Sequence, residues 1–304
     1  MYDIIIIGGG PAGMTAALYA LRSNKTVLVI EKAGFGGQIT SSPKVENYPG
    51  TLSMSGNEFA DSLLEQIIAQ DADVELETVT SIEDGDHIKR VFTEEGSSYD
   101  AKSVIIAVGV KHRMLGLERE NEFVGSGISF CAVCDGGFYS GQTVVVAGGG
   151  NSALQEALLL ADICREVIVV QDLAFLTGEE RLRESLLKRP NVRALTGTVI
   201  KELLIAEDKL KGVVIRSSAG DIDTIECDGL FVAVGLIPEN EAFSNVISLD
   251  ERGYIDSGEN CLTGRYGVFT AGDCRSKTVR QLTTACADGA VAALAACKYI
   301  DGRN

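Results

Sequence analysis

Residues 3–13 read DIIIIGGGPAG, an apolar run that is followed at once by glycines. The unbroken run of isoleucines predicts a strand that is buried on both faces, as in a parallel sheet. Alanine and leucine recur at helical spacing over residues 14–21, and residues 26–31, TVLVIE, form a second apolar run that ends in an acid. This order predicts a strand–helix–strand unit of an α/β domain.

The glycines of this unit form the pattern G-x-G-x-x-G at Gly8, Gly10 and Gly13. The first glycine permits a tight turn, the second lets the backbone approach a pyrophosphate, and the third lets the helix pack closely on the strand. The N-terminus of the following helix offers free N–H groups to phosphate. Glu31 lies 18 residues after Gly13, where its carboxylate can accept a hydrogen bond from a ribose hydroxyl. Together these features predict a dinucleotide-binding site.

The same pattern returns at residues 143–153, TVVVAGGGNSA, which contain the G-x-G-x-x-A form of the motif. A further apolar run follows at residues 166–170. Counting 18 residues from the last position of this motif leads to Gln171, with Asp172 next. We expect a second dinucleotide-binding domain, although a duplicated domain can also keep its fold after it has lost its ligand.

Two further apolar segments, SVIIAVG at 103–109 and GLFVAVG at 229–235, end alike, and we interpret them as the points where the chain crosses between domains. The expected fold is α/β, with two Rossmann-like three-layer dinucleotide-binding domains, the second inserted in the first. Residues 1–112 and 239–304 would form the outer domain, and residues 113–238 would form the central one. A long helix is expected near the end of the chain, from about Gln281 to Tyr299.

The charge balance excludes two classes of partner. The chain of 304 residues has 27 basic and 43 acidic side chains and a formal net charge of −16. Such a protein repels phosphate backbones and anionic lipid, so we expect neither nucleic-acid binding nor membrane binding. Asp3 stands where a signal peptide would carry positive charge, and no stretch approaches the ~20 apolar residues of a membrane helix. These features favour a cytoplasmic protein.

One pair among the eight cysteines is close in sequence, Cys131 and Cys134 in FCAVCDGG at 130–137. Two intervening residues allow a turn to bring the Cα atoms within the ~5.5 Å that a disulfide needs. The pair could therefore cycle between dithiol and disulfide. Asp135 is an acid beside the second thiol and could shuttle a proton during this exchange.

Two other interpretations of the cysteine pair are weaker. A zinc site needs four ligands, but the chain has only His87 and His112 and no second C-x-x-C, so no metal is expected. The two histidines are expected at the surface. Two merely buried cysteines would not explain the glycines and the acid that surround the pair.

Taken in order along the chain, these motifs resemble one family. They are GGGPAG at 8–13, GGQ at 36–38, ENYPG at 46–50, CAVCDG at 131–136, the second glycine motif at 148–153, AGD at 271–273 and RQ at 280–281. The chain resembles the low-molecular-weight bacterial thioredoxin reductases, a family of FAD-dependent disulfide reductases, over essentially its whole length.

The resemblance implies which residues hold the cofactors. The residues expected to hold FAD in the outer domain are Gly8, Gly10, Pro11, Ala12, Gly13, Glu31, Lys32, Gly37, Gln38, Asn47, Ala107, Gly109, Gly272, Asp273, Arg280 and Gln281. The residues expected to hold a nicotinamide nucleotide in the central domain are Gly148, Gly150, Asn151, Ser152, Ala153 and Asp172.

The resemblance also implies roles for the cysteine turn and a partner. Cys134 would face the flavin, Cys131 would attack the disulfide of a thioredoxin-like protein, and Asp135 would be the general acid. The family is homodimeric, and its central domain swings relative to the FAD domain.

The electron donor is the point at which this chain departs from the family. Members that use NADPH carry a His-Arg-Arg segment that clamps the 2′-phosphate. Here residues 170–177 read VQDLAFLT, and no arginine follows until Arg181. Three donors stay open: NADH read by Asp172, NADPH held otherwise by Arg181 or Arg183, and a donor that is no nicotinamide, such as ferredoxin or a second flavin.

The main functional hypothesis is an FAD-dependent reductase of a thioredoxin-like protein disulfide. A dithiol oxidase on the same scaffold would pass electrons to oxygen instead. A flavin-containing redox sensor would bind a regulator without turnover.

Overall fold

The computed structural model describes residues 1–42, 44–85 and 87–302. Its strands and helices, in chain order, are β1 (Tyr2–Ile7), α1 (Pro11–Arg22), β2 (Val27–Glu31), α2 (Gly56–Ile68), β3 (Asp73–Leu76), β4 (Val79–Asp84), β5 (Lys89–Thr93), β6 (Ser98–Ile106), β7 (Val110–His112), β8 (Ile128–Ser129), α3 (Ala132–Asp135), β9 (Thr143–Ala147), α4 (Asn151–Ala161), β10 (Glu166–Val170), α5 (Glu180–Leu187), β11 (Val192–Leu195), β12 (Thr198–Ala206), β13 (Lys209–Ser217), β14 (Ile222–Glu226), β15 (Gly229–Val232), β16 (Leu236–Pro238), β17 (Val268–Thr270) and α6 (Leu282–Asp301).

The chain forms two compact units. The outer unit comprises Met1–Lys111 and Ile237–Asn304, and the central unit comprises His112–Leu236. The central unit therefore interrupts the outer one in sequence. Both units contain a parallel sheet with strand–helix–strand connections, so the expected α/β class with two dinucleotide-binding folds is confirmed.

The outer unit is built on a seven-stranded sheet of order β3-β2-β1-β6-β5-β4, with β17 beside β6. β1 pairs in parallel with both β2 and β6, and the hairpin strands β4 and β5 extend the sheet in antiparallel fashion. The pairing Ile7↔Ile30 and Ile7↔Ile106 places the end of β1 between two strand ends. The glycine loop therefore leaves the sheet at its carboxyl edge, where α/β folds bind ligands.

The isoleucines of β1 are buried on both faces, as their unbroken run predicts. Ile4 and Ile6 pack in the cluster that contains α1 and α6, whereas Ile5 and Ile7 pack on the other face with Phe243. Burying a side chain of this size stabilises the fold by about 1.5–3 kcal/mol. Four such residues make β1 the central element of the outer core.

Helices α1 and α6 pack closely because glycine and alanine line their contact. A Cβ atom on Gly289 in α6 would overlap the carbonyl oxygen of Ala12 in α1. Ala292, Ala293 and Ala296 continue the same buried face of α6. The close contact brings the start of α6 toward the glycine loop. Among the described residues, no helix has the length and apolar character needed to cross a membrane.

The central unit repeats the design on a smaller scale. Its five-stranded sheet has the order β11-β10-β9-β15-β8, with every pairing parallel. One face packs on α4 through Leu154 and Leu160, and the other face packs on the antiparallel sheet β12-β13-β14 through Val213. α4 begins directly after the second glycine motif, as α1 does after the first.

Gly289→Ala should destabilise the outer unit, although alanine normally stabilises a helix interior relative to glycine. The added Cβ atom would push α6 away from Ala12, so we expect the free energy of unfolding to fall by about 1–3 kcal/mol. Gly34→Ala is the matched control, because a Cβ atom there meets nothing within 4 Å. Urea unfolding followed by circular dichroism measures both. Equal stability of the two variants would contradict the tight α1–α6 contact.

Candidate active site

The cysteine pair forms a disulfide at the start of a single helical turn. The Cα atoms of Cys131 and Cys134 are 5.3 Å apart. Cys131 is the N-cap of α3, and its Sγ accepts a hydrogen bond from the N–H of Cys134 at 3.2 Å. Both side chains are half-buried, so the disulfide is open to chemistry. Helical N–H groups near a sulfur favour its thiolate after reduction.

Asp135 lies beside this turn and is held by a hydroxyl group. Ser129 Oγ donates to Asp135 Oδ2 at 2.6 Å and accepts from the N–H of Cys131 at 3.1 Å. Burial raises the pKa of Asp135, and the hydrogen bond from Ser129 opposes that shift. Ser129 thus connects the acid to the cysteine backbone. Sequence reasoning missed Ser129, because a serine at a strand end carries no distinctive pattern.

A second carboxyl group approaches the same turn from α4. The backbone N–H of Ala132 points to the carboxyl group of Glu156 and favours its charged form. Burial outweighs this contact and raises the pKa of Glu156 to about 7, and the charge of Asp135 raises it further. Glu156 was also missed, although it lies only a short way along the helix that the second glycine motif begins.

His112 does not lie at the surface, where both histidines were expected. Its ring stacks on Phe130 with the ring centres 4.3 Å apart, so it is not a surface residue like the exposed His87. Burial lowers the pKa of His112 to about 4, and the ring is therefore neutral at pH 7. It packs against the residue that precedes Cys131. No group of three or more histidine, cysteine or acidic side chains within the described ranges could hold a metal ion.

The first glycine motif forms a narrow cradle. Gly8 has φ +109°, and a Cβ atom there would overlap the carbonyl oxygen of Ala107. Gly10 is the N-cap of α1, and the nearest atom to a Cβ on it would be the carbonyl oxygen of Gly36 at 3.9 Å. Glycine therefore leaves room for a ligand beside the N-terminus of α1.

Glu31 closes one end of this cradle. Its Oε2 accepts the N–H of Gly9 at 2.7 Å and its Oε1 accepts the N–H of Ala33 at 3.0 Å. These bonds fix the carboxylate at the carboxyl end of β2, where a ribose would lie. Lys32, the next residue, forms an ion pair with Glu239 instead.

The other residues predicted to bind FAD also lie in the outer unit, and two of them, Asn47 and Gln281, are hydrogen-bonded to each other. Gln38 Nε2 donates to the carbonyl oxygen of Val110 at 2.6 Å, and Asn47 Nδ2 donates to Gln281 Oε1 at 3.1 Å. Arg280 lies over the ring of Tyr254 with its guanidinium carbon 4.4 Å from the ring centre.

Three further residues predicted to bind FAD lie close to the first glycine motif. A Cβ atom on Gly37 would lie 3.3 Å from the Cα of Gly10, and one on Gly272 would lie 2.8 Å from the Cβ of Ala12. Ala107 contacts Gly8 as described above. Gly109 follows in the loop after β6, and Pro11 and Gly13 lie in the first turn of α1.

A buried ionic cluster supports the Gly272 turn. Asp288 receives both Nε and Nη2 of Arg275, at 2.9 and 2.8 Å, and the Nζ of Lys277 at 2.9 Å. The two cations hold the pKa of Asp288 below its usual range, even though burial opposes them. The N–H of Gly272 donates to the same carboxylate at 3.1 Å. The sequence did not reveal this cluster, because its members are spread over 14 positions.

Asp273, next to Gly272 in this turn, has a buried carboxylate oxygen without a hydrogen-bond partner among the described residues. This oxygen is Oδ1, and Lys277 Nζ lies 3.8 Å away from it. Burial raises the pKa of Asp273. An unsatisfied carboxylate oxygen fits the hydroxyl group of a ligand chain. Together with the open space at Gly10, it makes the outer unit suitable for a dinucleotide.

The second glycine motif has the same backbone geometry as the first. Gly148 has φ +124°, and a Cβ atom on it would lie 2.5 Å from the carbonyl oxygen of Ala233. Its N–H donates to the carbonyl oxygen of Val170 at 2.9 Å, just as that of Gly8 donates to Ile30 at 2.8 Å. This equivalence makes Gln171 the counterpart of Glu31.

Gln171 and Asp172 differ in their surroundings. Gln171 is only 5% exposed and lies on Gly149, where a Cβ atom would meet its Cδ at 2.7 Å. Asp172 is the counterpart of Lys32; it is exposed and accepts the N–H of Leu173 at 2.9 Å. A neutral amide therefore occupies the place that the carboxylate of Glu31 has in the outer unit.

The loop that follows β10 folds back over this motif. The N–H groups of Thr177 and Gly178 donate to the carbonyl oxygen of Gly149 at 2.8 and 2.9 Å. Asn151 Nδ2 donates to Glu179 Oε1 at 3.0 Å, and Asn151 Oδ1 accepts the N–H of Glu179 at 2.7 Å. A carboxylate thus lies beside the first turn of α4, where a pyrophosphate would bind. Gly150 is the N-cap of α4, Ser152 is exposed on it, and Ala153 is buried in it.

Comparisons with known proteins place this chain in a family. Residues 2–289 match the family model described as pyridine nucleotide-disulphide oxidoreductase. The chain belongs to this family. It is 38% identical over 302 residues to the thioredoxin reductase of Treponema pallidum, covering 99% of this chain and 97% of that one. It is equally identical over 303 residues to a Clostridium pasteurianum relative named "34.2 kDa protein in rubredoxin operon", with coverage of 99% and 98%.

The fold comparison agrees. The crystal structure of thioredoxin reductase from Streptococcus pyogenes has a TM-score of 0.94 and 38% identity, and 99% of each chain is covered. The expected membership of the thioredoxin reductase family is confirmed, and with it the expectation of a flavoprotein oxidoreductase.

Alkylation should distinguish the cysteine pair from the other thiols. Before reduction, iodoacetamide should modify Cys286 at most, because the remaining free cysteines, Cys164, Cys227, Cys261, Cys274 and Cys297, are buried. After mild reduction, two further groups should be added, on Cys131 and Cys134. Peptide mass spectrometry locates them. Native labelling of the five buried thiols, or no gain after reduction, would contradict the site.

Proposed function

We propose that the protein is an FAD-dependent thioredoxin-disulfide reductase. It would pass electrons from a donor through FAD and the Cys131/Cys134 pair to the disulfide of a thioredoxin-like protein. The observation that carries the proposal is the half-buried disulfide at the start of α3, with the hydrogen-bonded acid Asp135 beside it. Such a pair can be reoxidised only by exchange with another disulfide or by an oxidant.

FAD, when bound, supplies two-electron chemistry between the donor and a disulfide. The outer unit would hold it through the cradle at Gly8 and Gly10, the carboxylate of Glu31 and the buried Oδ1 of Asp273. Three observations support this assignment: open space at Gly10, a carboxylate fixed at the end of β2, and a buried acceptor that has no hydrogen-bond partner among the described residues.

The cysteines divide the exchange reaction between them. After reduction, the thiolate of Cys131 attacks the partner's disulfide; a mixed disulfide forms, and one partner sulfur leaves as a thiolate. Cys134 then attacks Cys131, the internal disulfide forms again, and the second partner sulfur leaves. Asp135 moves the protons, so that the two protons of the dithiol end on the partner's two sulfurs. When FAD is bound, Cys134 would be the sulfur that faces it.

The partner and the assembly are part of the same proposal. The Treponema pallidum relative is named a thioredoxin reductase, which supports a thioredoxin as the partner here. We propose a homodimer that works in the cytoplasm. Sedimentation of the purified protein with bound flavin measures the number of subunits.

The proposed donor is NADH. The exposed Asp172 and the missing arginines after β10 disfavour a 2′-phosphate by charge. Two observations favour a second candidate, a reduced iron–sulfur protein such as ferredoxin. Glu179 lies beside the helix N-terminus that would receive a pyrophosphate, and one relative is named for its place in a rubredoxin operon.

Serine variants of the two cysteines test the main proposal. Cys131→Ser should abolish reduction of thioredoxin, because the attacking sulfur is lost, while Cys134 still perturbs the flavin spectrum. Cys134→Ser should abolish dithiol formation by the flavin. Cys164→Ser is the matched control and should turn over like wild type, since Cys164 is buried and outside the turn. Turnover is followed with thioredoxin and an insulin disulfide. Oxygen uptake with a dithiol, without thioredoxin reduction, would instead favour the oxidase.

Anaerobic bleaching of the flavin tests the donor. NADH, NADPH and reduced ferredoxin are compared at equal concentration, after the heat-released cofactor has been identified as FAD by mass. NADH should bleach the flavin with a lower apparent KM than NADPH. Replacing Gln171 and Asp172 by arginines should lower the apparent KM for NADPH at least tenfold, which corresponds to about 1.4 kcal/mol. A tenfold preference of the wild type for NADPH would refute the role of Asp172. Bleaching by ferredoxin alone would establish the second candidate.

A further inference from the structure

Two carboxyl groups lie near the cysteine turn, and each has a buried oxygen without a hydrogen-bond partner among the described residues. These oxygens are Asp135 Oδ1 and Glu156 Oε2. Asp135 ends α3, whereas Glu156 comes from α4, which packs against α3. Two unsatisfied acid oxygens near one redox pair are unusual, since buried polar atoms are nearly always paired.

The surroundings of the two acids decide which one keeps a proton. The Ser129 hydroxyl donates to Asp135 and favours its charged form. For Glu156, only the N–H of Ala132 favours the charged form, and the charge of Asp135 disfavours it. When one acid ionises first, its neighbour holds the remaining proton. The pKa of Glu156, about 7, agrees with this order.

Other charges near α4 leave this order unchanged. α5, which also packs on α4, carries Arg183 with a half-buried side chain among exposed charges. Strand β9 carries no charged residue, and β10 carries only Glu166, which lies 3.9 Å from Arg193. Burial raises the pKa of the neighbouring Tyr139 to about 12, so it stays neutral.

We propose that Glu156 is a proton-holding residue for the cysteine pair, acting through Asp135. This inference rests on the proposed disulfide exchange and adds a positioning residue to it. At rest Asp135 is charged and Glu156 holds the proton of the pair. When the partner's sulfur leaves, the proton of Glu156 passes through Asp135 to that sulfur. The proton that the Cys134 thiol releases as it becomes a thiolate passes to Asp135 and replaces the one that Glu156 gives up. No electron passes through either acid, and both regain their starting state after each exchange.

Glu156 also joins two parts of the central unit. It lies on the helix that starts at the second glycine motif, and its carboxyl group faces the N–H of Ala132 between the two cysteines. A shift of α4 would therefore change the surroundings of this acid, and with them its affinity for the proton. The position of the side chain makes it the point at which α4 can affect the cysteine chemistry.

Glu156→Gln tests the inference because it keeps the shape of the side chain and removes its proton exchange. The holoenzyme is reduced anaerobically with dithionite, so that the result does not depend on the natural donor. It is then mixed with oxidised thioredoxin in a stopped-flow instrument between pH 5.5 and 9. This chain has no tryptophan, so the fluorescence of a tryptophan-containing thioredoxin reports the transfer alone. Glu180→Gln, an exposed acid at the start of α5, is the matched control.

The wild type and Glu180→Gln should show an inflection of the rate constant near pH 7. Glu156→Gln should lose that inflection and be about tenfold slower at pH 6, and Glu156→Asp should restore part of it. Thermal unfolding of each variant separates a folding defect from a proton effect. Superimposable pH profiles of wild type and Glu156→Gln would overturn the inference.

Alkylation of the reduced protein separates this inference from the proposed partner. Above pH 7 the charged Glu156 disfavours a nearby thiolate, so Glu156→Gln should react with iodoacetamide about threefold faster than wild type at pH 8.5 and equally fast at pH 6. This difference needs no thioredoxin. If it is present but thioredoxin is not reduced, the proposed function fails and the role of Glu156 stands. If thioredoxin is reduced but the alkylation profiles coincide, Glu156 is not coupled to the thiols.

Discussion

Both units depend on one close contact between backbones, where a glycine at the end of a central strand meets a carbonyl of the neighbouring parallel strand. Gly8 meets Ala107 in the outer unit, and Gly148 meets Ala233 in the central one. A side chain at either glycine would push the strands apart just where the chain turns into a helix. The contact fixes the start of that helix and the direction of its N–H groups. The proposed pyrophosphate contacts in each unit are built on this turn.

The sequence was sufficient to predict the elements around these turns, because their signals are local. Four consecutive isoleucines specify a strand buried on both faces, and glycine spacing specifies the turn that follows. The cysteine turn was equally readable, since two intervening residues limit its geometry. Contacts between distant positions could not be read in this way. The Arg275–Asp288 cluster and the stack of His112 on Phe130 arise only when separate segments fold together.

The position expected to contact the donor's ribose could be found by counting residues from the glycine motif. The count led to Gln171 as the counterpart of Glu31, with the acid Asp172 beside it, and the hydrogen bonds of the two glycine turns agree with this count. The glycine turns of the two units therefore share their backbone geometry, and the residue at the end of the second strand differs in charge. In the outer unit, the carboxylate of Glu31 accepts a hydrogen bond from the glycine loop. In the central unit, the amide side chain of Gln171 lies on the corresponding loop at Gly149. The same fold thus presents different chemistry to its ligand in the two units.

The burial of the remaining thiols gives the redox pair its chemical isolation. Burial raises the pKa of Cys164 to about 11 and those of Cys227 and Cys261 to about 12. At pH 7 only about one molecule in 10,000 to 100,000 carries a thiolate at such a position, against about 3% for an ordinary thiol. Because only the thiolate attacks a disulfide, scrambling within the chain is slowed by roughly a hundredfold or more before access is considered. The protein can therefore carry five further buried cysteines without diverting disulfide exchange from the Cys131/Cys134 pair.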